Sequence, residues 1–366
     1  MARKLKSDKV LFLVTVLLVC FGAVMVYSAS ALLAMDRYGQ PYLFLFKQVS
    51  WAALGALLLN VTMRIDYRNY RQPVVIWTGL AVVAVALVLV LFGPAINGTR
   101  RWFGLGGIGV QPSELAKLAV ILFTARTLER RMDRIDDVTY SLSPVVLVLC
   151  ILVGLILMQP DFGTAVSLSL IVGIMIYAAG LHYRYIVGAA LVATPLLYVV
   201  VMGADYRRRR LLAFLDPWAD PFGDGFQVIQ SLIAVGTGGI FGRGLMGGVQ
   251  KLFYLPEPHT DFIYAVIAEE LGLLGATAVL VCFGIIAWRG LRIALDAPDR
   301  FGALLAIGLT AMVTIQALVN ISVVLGLMPT KGIPLPFVSS GGSSLLVSLL
   351  GIGILLNVSQ HASAKA

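Results

Sequence analysis

Residues 10–33 read VLFLVTVLLVCFGAVMVYSASALL, a run without one charged side chain. A bilayer core of about 30 Å is crossed by roughly 20 apolar residues in α-helical form, so this run predicts a membrane-spanning helix. It follows a basic stretch, as the apolar part of a signal peptide does. It is too long for that role, however, and offers no obvious cleavage site, so it is expected to be retained as the first helix.

The same criterion applied outward marks ten spans, at about 10–34, 43–63, 74–93, 112–130, 143–159, 163–181, 185–202, 262–288, 302–327 and 341–360. The fifth and sixth are divided only by Gln159-Pro160-Asp161-Phe162, a plausible tight reversal. The expected fold is all-α: a single polytopic membrane domain over residues 1–366, with about ten transmembrane helices and one long extracytoplasmic loop at about 203–261. Composition agrees, with 59% hydrophobic and only 13% charged residues, against roughly 25% charged in soluble chains.

The net charge of +9 would suit a nucleic-acid binder only if a soluble domain carried a basic face, and none is visible. In a membrane protein the surplus belongs to cytoplasmic loops. With both termini placed inside, most Lys and Arg outside the long loop fall on the cytoplasmic side. The short outer connections then hold only Arg37, Lys47, Arg100, Arg101 and Lys331. Cys20, Cys150 and Cys282 lie apart in apolar runs, and His182, His259 and His361 are equally scattered, so neither a disulfide framework nor a histidine-built zinc site is indicated. No repeat at a fixed period suggests a transporter of inverted halves.

Four outer segments break the apolar pattern. In the first, Asn97-Gly98-Thr99-Arg100-Arg101-Trp102 leads to Gln111-Pro112-Ser113-Glu114-Leu115-Ala116-Lys117. Pro112 suits a first helical turn, which puts Glu114 and Lys117 on one face about a turn inside the fourth span. Such charges mark either a functional site or an ion pair that locks two helices together. Arg100 and Arg101 either sit among lipid phosphates or grip a substrate pyrophosphate.

The long loop carries Arg207-Arg208-Arg209-Arg210, then Gln227–Ala234 with apolar residues at helical spacing, then glycine-rich turns. It reads as one or two amphipathic helices lying on the membrane surface. The third segment, Pro256-Glu257-Pro258-His259-Thr260-Asp261-Phe262, sets Asp261 at the water–lipid boundary. There it is either a helix N-cap or a carboxylate at a site of low dielectric. Glu269 and Glu270 lie two turns further along the same helix. The fourth, Pro329-Thr330-Lys331-Gly332-Ile333-Pro334-Leu335-Pro336-Phe337, is held extended by its prolines and runs into Ser339-Ser340-Gly341-Gly342-Ser343-Ser344. Free amides and hydroxyls there suit a phosphate; a stiff turn is the alternative.

Taken together, these words resemble the SEDS family of peptidoglycan glycosyltransferases over nearly the whole chain. The matching words are Val26-Tyr27-Ser28-Ala29-Ser30, Gln111-Pro112-Ser113-Glu114 with Lys117, Phe214-Leu215-Asp216-Pro217-Trp218, Gln250-Lys251, His259-Thr260-Asp261-Phe262, and Pro334-Leu335-Pro336-Phe337 with Gly341-Gly342-Ser343-Ser344. Pro329-Thr330-Lys331-Gly332 resembles the cell-division (FtsW) branch more than the elongation (RodA) branch. Ser340 replaces a usual Tyr, and Met246-Gly247-Gly248 a usual Gly-Asn-Ser.

The resemblance implies polymerisation of lipid II into glycan strands for the septal wall, with release of undecaprenyl pyrophosphate. It implies a multi-pass protein of the bacterial cytoplasmic membrane with both termini cytoplasmic. Asp261 would be the catalytic carboxylate, and Glu114 with Lys117 a required pair in the central cavity. Arg100, Arg101, Lys251, His259, Ser343 and Ser344 are candidates for substrate or pyrophosphate binding. The resemblance also implies a divalent cation, Mg or Mn, whose ligands the sequence does not identify, and no organic cofactor. Expected partners are lipid II, membrane lipid, a class B penicillin-binding transpeptidase and other division or elongasome proteins, with no nucleic acid. The competing readings are a lipid II flippase, a scaffold for division partners, and the elongation polymerase of the same family.

Overall fold

The computed structural model describes residues 7–94, 99–105, 108–135, 137–252 and 254–362. Asn97 and Gly98, the basic residues before Ser7, and Lys365 lie outside them. The helices are α1 (Lys9–Tyr38), α2 (Leu43–Arg64), α3 (Pro73–Val90), α4 (Pro112–Arg131), α5 (Val138–Met158), α6 (Phe162–Ala178), α7 (Tyr183–Met202), α8 (Asp205–Leu215), α9 (Phe226–Gly238), α10 (Ile263–Leu295), α11 (Arg300–Val324) and α12 (Gly342–Gln360). A small antiparallel hairpin, β1 (Phe103–Leu105) and β2 (Ile108–Val110), precedes α4.

All ten expected spans fall on helices, and the reversal at 159–161 does separate α5 from α6. By length and composition, eight of the described helices can cross a membrane: α1, α2, α3, α5, α7, α10, α11 and α12. The other two expected spans are α4, which carries Glu114 and Lys117, and α6, which has 17 residues. The chain is therefore a multi-pass membrane protein.

Burial orders the bundle. Within their apolar windows α11 is 78% buried and α12 is 83% buried, whereas α7 is 0% buried, so α11 and α12 form the centre and α7 stands at the lipid-facing edge. Lipid gives no hydrophobic drive between helices, so close packing rests on small residues. Gly353 of α12 lies against Thr62 and Leu59 of α2, and Gly308 of α11 against Ile121 and Met175, where a side chain has no room. The Asp8 amide donates to Ser359 Oγ at 3.1 Å, and the Tyr67 amide to Asn357 at 2.8 Å. Both described ends of the chain thus lie at one end of the bundle, as an even number of spans requires.

The long loop departs from expectation. It holds two helices, but α9 is docked on the protein instead of lying on the membrane surface. Ser231 Oγ donates to the Val324 carbonyl at 2.7 Å, and Gly238 abuts the Ala268 carbonyl so closely that a Cβ there would clash. The apolar face of α9 is therefore spent on α10 and α11, not on lipid. α10 itself breaks at Gly272 (φ 67°). The backbone groups freed there are taken by the preceding loop. Arg243 and Gly244 amides donate to Glu269 and Glu270 carbonyls, and Leu273 and Leu274 amides donate to Gly239 and Ile240 carbonyls, at 2.9–3.3 Å.

Candidate active site

A cavity of about 690 Å³ opens at the end of the bundle remote from the chain ends, walled by Arg101, Arg210, Glu257, Asp261, Lys331 and Ser344 among others. Two amides of α11 brace the segments that line it. Gln316 and Asn320 are one turn apart and face the same way. Asn320 Nδ2 donates to the Asp261 and Ile333 carbonyls, both at 2.7 Å. Gln316 Nε2 donates to Ser344 Oγ at 2.8 Å and to the Pro334 carbonyl at 3.0 Å. The proline-rich segment and the Asp261 backbone are thereby pinned to one rigid helix.

Behind Gln316, Lys117 Nζ lies 2.7 Å from Glu114 Oε1 and 2.8 Å from Gln316 Oε1, with both charged residues buried. The pair sits within α4 rather than joining two helices by charge. Its link to the cavity wall runs through Gln316 to Ser344. Two opposite charges taken from water require this degree of hydrogen bonding to be retained.

Asp261 is half-buried at the cavity wall, and among the described residues its carboxylate makes no hydrogen bond or ion pair. It does not cap α10; the capping position is Phe262, without a side-chain bond. The carboxylate fits beside Gly332, where a Cβ would stand 2.8 Å from Oδ2. Burial, reinforced by the like charge of Glu257, pushes its pKa from 3.8 up to about 7; Arg210 and Arg101 pull the other way.

Cations line the same cavity. Arg101 Nε donates to the Gln159 carbonyl at 2.9 Å, its Nη2 to the Pro160 carbonyl, and the guanidinium lies 3.9 Å from Asp161. Arg210 reaches the Thr330 carbonyl at 3.4 Å. Lys331 Nζ stands 4.6 Å over the Phe162 ring, and burial lowers its pKa from the usual 10.5.

Of the residues expected at the site, Asp261, Arg101 and Ser344 meet at this cavity. Lys251, Arg100, His259 and Ser343 do not. Lys251 is sealed in a buried pair with Glu270 at 2.6 Å, with Ser28 Oγ at 3.0 Å, so its charge is already spent. Glu269 accepts from the Val249 and Gln250 amides and lies 3.6 Å from Arg243; the two glutamates anchor the loop. Arg100 turns out to the Leu91 carbonyl. His259 is buried on the Phe44 ring at 4.5 Å, and burial holds its pKa below 6.5. Ser343 ties β2 to α12, accepting from the Gln111 amide and donating to the Gly109 carbonyl, both at 3.0 Å.

Glu257 and Lys331 at the cavity, and Gln316 and Asn320 behind it, are residues that the sequence reading did not assign. The two amides had a legible signal: polar side chains four apart inside an apolar span.

The family model for FtsW, RodA and SpoVE, described as cell cycle protein, matches residues 8–364. The chain is 46% identical over 355 residues to a Geobacter metallireducens protein named "Probable peptidoglycan glycosyltransferase FtsW", covering 97% of this chain and 95% of that one. It is 41% identical over 365 residues to stage V sporulation protein E of Bacillus subtilis, covering 98% and 99%. Among solved structures, a chain of a peptidoglycan synthase complex that coordinates polymerization and crosslinking is similar at TM-score 0.79 and 35% identity, covering 96% of this chain and 97% of that one. Rod shape determining protein RodA of Thermus thermophilus matches at TM-score 0.71 and 29% identity, with 98% of each chain covered. The chain belongs to the FtsW/RodA/SpoVE family of membrane proteins.

Proposed function

We propose that the chain is a peptidoglycan glycosyltransferase that polymerises lipid II for septal wall synthesis, with Asp261 as general base. One observation carries this reading: a carboxylate with no hydrogen-bond or ion-pair partner among the described residues faces the cavity, its pKa pushed up to about 7 by burial. A base with a pKa close to the working pH is suited to remove a proton in the transition state. A paired or capping carboxylate would be too weak a base.

The acceptor GlcNAc 4-hydroxyl gives its proton to Asp261 as it attacks the anomeric carbon of the donor strand. The bond from that carbon to undecaprenyl pyrophosphate breaks. Negative charge gathers on the departing pyrophosphate, and Arg101, Arg210 and Lys331 are fixed cations on the same cavity wall. Glu114, Lys117 and Gln316 position Ser344 and the proline-rich segment. Lys251, His259 and Ser343 hold the loop and hairpin that frame the mouth.

Among the described residues no three His, Cys, Asp or Glu side chains gather to cage a metal. The residues fit a magnesium-type ion bound by one carboxylate and substrate phosphates, a common arrangement for this hard cation. Glu257 would hold it, and the ion would supply extra neutralisation of the pyrophosphate. In this reading the cavity opens to the outer face of the bacterial cytoplasmic membrane, both termini are cytoplasmic, and a class B penicillin-binding transpeptidase crosslinks the strands. The similarity to a chain that works in a polymerization and crosslinking complex supports that partner.

The test is polymerisation of lipid II by the purified protein in detergent, with and without chelator. Glycan strands from the wild-type chain and none from Asp261→Asn are expected. Scrambling of lipid II between leaflets without polymer would favour a transporter.

A further inference from the structure

We propose that a cleft between α3, α4 and α5, at the end of the bundle remote from Asp261, binds the phosphate-bearing headgroup of an anionic phospholipid. The cleft holds about 320 Å³. Its site is about 20–30 Å along α4 from Gln111 at the cavity wall, at a rise of roughly 1.5 Å per residue.

The two halves of the cleft differ in chemistry. One is basic, formed by Arg126, Arg130 and Arg131 on the last turns of α4. The other is apolar, formed by Ile76, Trp77, Phe123 and Pro144. Trp77 packs edge-on to Phe123 at 5.6 Å while remaining 60% exposed on the lipid-facing side of α3. A basic pocket that continues into a lipid-facing apolar wall matches an amphiphile, whereas a free anion would gain nothing from the second half.

The arginines also outnumber the one acid that acts on them, Glu129, whose carboxylate is paired with Arg71. Arg126 and Arg130 stand at i and i+4, a repulsive spacing for like charges. The neighbouring acids are engaged: Glu129 with Arg71 at 3.0 Å, Asp133 with Arg300 at 2.7 Å, and Asp137 with the Tyr140 amide as cap of α5. Arg126 donates to the Arg71 carbonyl, and Arg131 donates to the Tyr140 carbonyl and lies over that ring. Arg130 is exposed and makes no hydrogen bond or ion pair among the described residues. A phosphodiester at the cleft would relieve the Arg126–Arg130 repulsion and accept from Arg130. Its acyl chain would lie on Trp77 and Pro144. Bound lipid would tie the far end of α4, the helix that carries Glu114 and Lys117, to its neighbours.

The test uses full-length protein in nanodiscs of phosphatidylcholine with increasing phosphatidylglycerol, read by thermal midpoint and by native mass spectrometry of retained lipid. The wild type should gain stability and keep phosphatidylglycerol in preference to phosphatidylcholine. Arg130→Gln breaks no hydrogen bond or ion pair among the described residues, and it should retain phosphatidylglycerol roughly five-fold less well, the factor one basic residue contributes near anionic headgroups. Arg64→Gln, exposed at the end of α2, should behave as wild type. Equal retention by wild type and Arg130→Gln would overturn the proposal. So would full stabilisation by inorganic phosphate alone, since the apolar half would then be idle.

Discussion

Asp261→Asn preserves the shape of the side chain while removing its charge, and two readouts should respond together. A carboxyl whose ionisation moves from 3.8 to about 7 on folding carries a cost of about 4 kcal/mol when forced to ionise in place. The folded value lies above the ordinary one, so the stability this group contributes is fully present below pH 3.8. It declines as pH rises and is lost once pH exceeds about 7. Asparagine never ionises. Thermal unfolding of the variant at about pH 8.5 should therefore show greater stability than the wild type, by an amount of the order of that cost. The gap should close towards about pH 4. Glycan polymerisation should follow the opposite course, rising with pH to a plateau with half-maximal rate near 7 in the wild type and absent in the variant at every pH. Equal stability of the two proteins at high pH, together with a wild-type rate that does not change between about pH 6 and 8, would refute both the strained carboxylate and its role as base.

Other perturbations probe the frame around that carboxylate. Gly332→Ala would press a methyl group on Asp261 Oδ2, and it should lower kcat by about 10²-fold, the scale of an ångström-sized misplacement, with little loss of thermal stability. Lys117→Met strands the buried Glu114 charge and should cost about 3–5 kcal/mol in unfolding measurements. If the Glu114→Lys/Lys117→Glu swap restores activity, the pair is purely structural; continued inactivity is expected, because Gln316 would lose its lysine donor. Lys251→Met should destabilise to a similar degree by stranding Glu270. Its activity per folded molecule should stay within a few-fold of wild type, whereas a pyrophosphate ligand would show a far larger fall in kcat/KM.

The spans were legible because crossing a bilayer leaves one unmistakable mark, sustained apolar length, and residues 10–33 carry it without ambiguity. Even the reversal at Gln159–Phe162 could be placed from its turn residues. The position of Asp261 was legible as well, because a carboxylate where an apolar run begins admits few roles. Partnerships were not. His259 and Ser343 lie in the same words as cavity residues, and Lys251 in a word of its own, but a word records order along the chain and not the direction in which a side chain turns. Each of the three faces inward, to Glu270, Phe44 and Gly109 respectively. Periodicity showed that α9 has an apolar face, but lipid and protein reward such a face alike. The close approach of Gly238 to Ala268 and the bond from Ser231 to Val324 identify the occupant as protein. Gln316 and Asn320 escaped notice because two amides barely dent the hydropathy of a 25-residue helix.

The break at Gly272 bears on how the molecule is assembled. Residues 273–295 could settle into a bilayer as an ordinary helix, but the turns before them would expose bare amides and carbonyls to hydrocarbon, at several kcal/mol for each group. Strand-like pairing with residues 239–244 removes that exposure. That segment is thus a missing piece of the helix it precedes. Trimming or replacing residues 239–244 as a dispensable surface loop should leave α10 unfinished and the half-helix behind Asp261 without a fixed direction.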